Sequence, residues 1–73
     1  MQMNTTEVDV DALVRDVILH HGLPFTVLSV IESPAGWNIQ VRAVTGQRVS
    51  FVVPNGRSLA MRVAIQQRLE AEV

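Results

Sequence analysis

Apolar residues recur along this chain with two different periods, and the changes between them mark where its elements lie. Val10, Leu13, Val14, Val17, Ile18 and His21 fall at i, i+3, i+4, i+7, i+8 and i+11, which is one face of an α-helix. Thr6 and Asp9 form a capping pair at its start, and the acids at 7, 9 and 11 suit the positive end of the helix dipole. Gly22 before Leu23-Pro24 is a stop signal, so the pattern predicts a first helix over about residues 7–21. From Phe25 the period drops to two and the residues become β-branched, giving a strand through Glu32 that ends at Ser33-Pro34-Ala35-Gly36. A second strand, 37–44, alternates strictly, with Trp37, Ile39, Val41 and Ala43 on one face and Asn38, Gln40 and Arg42 on the other. The third, 47–53, turns Val49, Phe51 and Val53 inward and closes at Pro54-Asn55-Gly56.

Side-chain parity constrains how these strands pair. For the inward sets of the second and third strands to share a face, paired residue numbers must add to an even number. A bare two-residue turn at Thr45-Gly46 breaks that rule, so a three- or five-residue loop or a bulge is expected there. The remaining segment, Asn55 to about Glu72, has no strand alternation and predicts a second helix. Ala60, Met61, Ala64, Ile65 and Leu69 form its apolar face, and Arg62, Gln66 and Glu70 form a polar stripe with Leu59 and Val63 beside it. The expected fold is α+β with the order αβββα: a three-stranded antiparallel meander with both helices packed on one face.

That arrangement leaves the other sheet face uncovered. By simple alternation it carries Thr26, Leu28, Val30 and Glu32 from the first strand, Asn38, Gln40 and Arg42 from the second, and Arg48, Ser50 and Val52 from the third. Leu28, Val30 and Val52, with Gln40, Arg42 and Arg48, make a mixed apolar and arginine patch of the composition expected of a protein interface. A twist of the first strand is the alternative, carrying its side chains toward the edge of the core.

Length and composition narrow the reading. Seventy-three residues make one domain, taken as residues 7–73 after a disordered tail over 1–6. The chain has no cysteine, so neither a disulfide nor a thiolate metal site supports it, and a reducing compartment is expected. At 48% hydrophobic it is rich for its size, which points to self-association, with a homodimer as the simplest form. No run approaches the roughly 18 apolar residues of a membrane span, and Met1 to Thr6 lack the features of a signal peptide. A soluble, cytoplasmic protein is expected.

Charge adds a polarity that the net value of −1 conceals. Residues 1–32 hold five acids (Glu7, Asp9, Asp11, Asp16, Glu32) and one base (Arg15), whereas residues 33–69 hold five arginines (Arg42, Arg48, Arg57, Arg62, Arg68) and no acid. Arg57, Arg62 and Arg68 are candidate contacts for an anion or a nucleic acid, and Pro54-Asn55-Gly56-Arg57-Ser58 opens the second helix, where backbone N–H groups are free. A pI near 6.0 and an acidic first helix weigh against a nucleic-acid role. His20, His21 and Asp16 supply too few ligands for a metal site; a histidine at a helix C-terminus suits the dipole there. No nucleophile, base and orienting group can be assembled, so no catalytic residue, metal or cofactor is expected.

The element order, with Pro24-Phe25-Thr26-Val27 followed by Trp37-Asn38-Ile39-Gln40-Val41-Arg42, resembles the double-stranded-RNA-binding domain over most of the chain. The resemblance implies the fold. It does not carry the activity, because the family's three RNA contacts are replaced: the first helix is acidic, the turn Ser33-Pro34-Ala35-Gly36 holds no histidine, and the lysine cluster becomes Gly56-Arg57-Ser58-Leu59-Ala60-Met61-Arg62. The expectation is a non-enzymatic interaction module that self-associates or binds a protein partner through the open sheet face. Nucleic-acid binding through the arginines is the alternative.

Overall fold

The computed structural model describes residues 7–73; the expected tail over 1–6, and the Thr6 cap with it, lie outside the described residues. The elements run α1 (Glu7–His21), β1 (Phe25–Ser33), β2 (Gly36–Ala43), β3 (Arg48–Val53) and α2 (Ser58–Ala71), the αβββα order. The strands form one antiparallel sheet in the order β1-β2-β3. Among the described residues no helix is long and apolar enough to cross a membrane.

Helix α1 stops where the sequence signals it. Gly22 adopts φ 61°, its N–H bonds the Leu19 carbonyl at 3.3 Å, and the Leu23 N–H bonds the Ile18 carbonyl at 3.0 Å. These two bonds are the Schellman closure, and Leu23 and Ile18 both pack against the core beneath it. Helix α2 starts less decisively, for Arg57 occupies the N-cap position in extended conformation with no side-chain capping bond.

Both helices lie on one face of the sheet. Val10, Val14 and Val17 of α1 and Met61, Ile65 and Leu69 of α2 join Trp37, Ile39, Val41, Phe51 and Val53 of the sheet in a single core. Trp37 is almost fully buried, and its indole N–H donates to Asn55 Oδ1 at 3.3 Å, so the side chain that follows β3 satisfies the one polar atom of the largest core residue. Across the helix layer an ion pair joins Arg62 of α2 to Asp16 of α1. Two expectations need correction. Ala60 is exposed along with Leu59 and Val63, so the inward stripe of α2 is Met61, Ile65 and Leu69 with Ala64 at its margin. His21 is exposed, because the Gly22 turn ends the helix before it reaches cover.

The β2–β3 hairpin obeys the expected parity. Trp37 faces Val53, Ile39 faces Phe51 and Arg42 faces Arg48. Ala43 N–H bonds the Gln47 carbonyl and Gly46 N–H bonds the Ala43 carbonyl, each at 2.8 Å, enclosing a three-residue loop, Val44-Thr45-Gly46, with Gly46 at φ 94°. The β1–β2 hairpin departs from simple alternation. Its register runs Phe25 opposite Ala43 and Val27 opposite Val41, then slips, so that Ser29 faces Gln40, Val30 faces Ile39 and Ile31 faces Asn38. Leu28 is the extra residue of a β-bulge, which turns every later side chain of β1 to the other face.

Candidate functional site: the open sheet face

The bulge decides which residues reach the uncovered face. Alternation placed Val30 there; the structure puts it in the core at 5% exposure, opposite Ile39. Burying Val30 rather than Ser29 removes an apolar side chain from water and keeps a hydroxyl out of the core. Ile31 takes the outward position in its place, at 56% exposure, and Ser29 comes out to face Gln40. Leu28 is 39% exposed and lines an open hollow of about 230 Å³ with Ser29, Val30 and the α1 acids Glu7 and Asp11. It belongs to the sheet edge, not to the centre of the face.

What remains is ordered in three cross-strand rows. Thr26, Arg42 and Arg48 form one, Ser29, Gln40 and Ser50 the next, and Ile31, Asn38 and Val52 the third. Arg42 and Arg48 are directly opposed and exposed, and among the described residues neither makes an ion pair. Like charges across a ladder repel, so this row carries a standing cost that a counter-charge would relieve. In the middle of the face Ser29 Oγ donates to Gln40 Oε1 at 3.4 Å and Ser50 Oγ donates to Asn38 Oδ1 at 3.1 Å. Each amide oxygen thus accepts one bond within the face, and the NH₂ groups of Asn38 and Gln40 remain as outward donors. In the third row Ile31 and Val52, the latter 45% exposed, flank Asn38 with apolar surface.

The other arginines are elsewhere. Arg62 is engaged by Asp16, Arg68 lies over the Phe51 ring at 5.7 Å from its centroid on the helix side of the sheet, and Arg57 stands at the N-cap position of α2. The five arginines of the second half of the chain therefore divide between the two sides of the sheet. The acids divide as well: Asp11 pairs with Arg15 at 3.0 Å and Asp16 with Arg62, so two of the α1 carboxylates are used within the molecule.

Chemistry of other kinds finds little to build on. His20 and His21 pack edge to face at 5.1 Å and are both exposed, and Asp16, whose spacing suited His20, turns to Arg62 instead. Among the described residues no three His, Asp or Glu side chains gather where they could hold a metal ion. The hollow at the β1–β2 turn, about 540 Å³ and open to solvent, is lined by Glu32, Ser33, Pro34, Ala35, Gly36, Pro54 and Asn55. Its one hydroxyl, from Ser33, donates to the Gly36 carbonyl at 3.1 Å.

Sequence reasoning missed Ile31 and misplaced Val30 for one reason: it applied strict alternation across Leu28. The signal was present, since alternation through that residue would bury Ser29 while exposing Val30. Comparison of the chain with protein-family models, with curated proteins and with solved structures returned no match. The element order is that of the double-stranded-RNA-binding domain, and the likeness is one of topology.

Proposed function

We propose that this chain is a non-enzymatic, cytoplasmic interaction module that engages a protein partner through its open sheet face. The observation that carries this reading is the order of the face: an arginine row with no ion pair among the described residues, a hydrogen-bonding row and an apolar row lie side by side on the sheet. Ile31 and Val52 supply apolar area, Gln40 and Asn38 supply hydrogen bonds, and Arg42 and Arg48 supply charge and orientation. Nucleic-acid binding is less well supported, because only two arginines reach this face and no aromatic side chain stands on it for a base to stack against.

Light scattering of the full chain at low and high salt, with and without a mixed pool of RNA and DNA, tests the reading. The expected result is a mass independent of nucleic acid. A homodimer in that measurement that survives Ile31→Ser and Val52→Ser is held by some other surface and leaves the face free for a foreign partner. A mass gain only with nucleic acid at low salt would overturn the proposal.

A further inference from the structure

The chemistry of the open face restricts what can lie on it. Its charged groups are two guanidinium groups, and the amide NH₂ of Gln40 and Asn38 add outward donors, each amide oxygen accepting from Ser29 or Ser50. None of its three rows contains an acid. A second copy laid face to face across a two-fold axis would therefore bring four arginines into a site with no carboxylate, which is unfavourable once desolvated. The α1 acids do not remedy this, for α1 packs on the other side of the sheet, and Asp11 and Asp16 are in addition paired within their own molecule.

Size restricts the occupant further. Over the six-residue length of β3, the shortest strand, three strands spaced about 4.8 Å apart cover roughly 300 Å². A standard interface between globular proteins needs about 800 Å² on each side. The face suits a single helix or extended segment, about 10–12 Å across, better than a folded domain.

Resting on the reading above, we propose that the open sheet face docks an acidic segment of a protein partner, with carboxylates against Arg42 and Arg48 and apolar side chains against Ile31 and Val52. The arginine and apolar rows are four residues apart along β2, about 13 Å. A helical partner spans that distance in about nine residues at 1.5 Å each. Its recognition pattern is a pair of Glu or Asp side chains followed by Leu, Ile or Val about seven or eight residues on, the spacing nearest that distance that keeps both on one helix face. A nucleic acid supplies the negative charge but sets phosphates against Ile31 and Val52, which the protein segment covers.

The test uses the full chain and a fluorescein-labelled helical peptide of about sixteen residues built to that pattern. Controls are the same peptide with each Glu replaced by Gln, and a single-stranded RNA of mixed sequence. Anisotropy should give at least tenfold tighter binding for the acidic peptide than for the Gln peptide, with the advantage shrinking at high salt. The double variant Arg42→Ala/Arg48→Ala should abolish that advantage, while Ile31→Ser should weaken both peptides alike. All three substituted side chains are exposed, so the melting temperature reports any loss of fold independently. Equal binding of both peptides, still sensitive to Ile31→Ser, would overturn the acidic specificity and leave the face as a protein surface. Acidic-peptide binding indifferent to Arg42 and Arg48, absence of binding by either peptide, or tighter binding of the RNA through the same arginines would each overturn the inference.

Discussion

The two hairpins of the sheet share strand β2 and differ in how faithfully their side chains alternate. Between β2 and β3 the ladder is regular from Trp37–Val53 to Arg42–Arg48, and the loop Val44-Thr45-Gly46 has the length that parity demands. Between β1 and β2 the chain instead closes a tight turn at Ser33-Pro34-Ala35-Gly36 and absorbs an extra residue at Leu28. The difference follows from what each strand must bury. In β2 and β3 the apolar residues already sit at every second position. In β1 the apolar set Phe25, Val27 and Val30 is out of step by one, and the bulge brings it back into register with the core. A bulge at an edge strand also interrupts the backbone row open to another chain, which discourages unwanted pairing at that edge.

The turn of the first hairpin offers the largest way to break this comparison. Gly36 sits at φ 135°, and a Cβ there would meet the Val53 carbonyl oxygen and come within 2.9 Å of Pro54 Cα. The dihedral alone costs about 1–3 kcal/mol in a non-glycine residue. The backbone contact adds to it, because main chain cannot swing aside. Against a total stability of about 4–11 kcal/mol for a chain of this size, Gly36→Ala should leave the protein largely unfolded or close to it, as read by denaturant melting.

Val30→Ala and Val52→Ala sharpen the comparison directly, since simple alternation puts both valines on the same exposed face. With the bulge, Val30→Ala should cost about 1.5–3 kcal/mol and Val52→Ala less than about 0.5 kcal/mol. Equal and small losses in urea melts would mean that β1 runs without its bulge and that Val30 belongs to the open face.

Gly46→Ala probes the second hairpin and should be milder than its counterpart in the first. Gly46 also has a positive φ, 94°, but nothing lies within 4 Å of an added Cβ, so only backbone strain of about 1–2 kcal/mol is expected. A loss in thermal melts as large as that of Gly36→Ala would show that the two turns are equally constrained.

The sequence by itself determined the elements, their order, the inward faces of β2 and β3, the inward valines of α1, the loop parity of the second hairpin and the stop at Gly22. Each of these rests on neighbours within a few residues, where a period or a turn-forming glycine suffices. Only the tertiary structure decided that Val30 goes in and Ile31 comes out, because the bulge is fixed by the core that β1 must match across β2. It also decided where the charges act. The chain alone separates acids from arginines by position, but the packing of α1 beside α2 pairs Asp16 with Arg62, and the β2–β3 register sets Arg42 opposite Arg48. Residues 46 apart in the chain meet at an ion pair only when two helices settle on one sheet, and no local pattern encodes that contact.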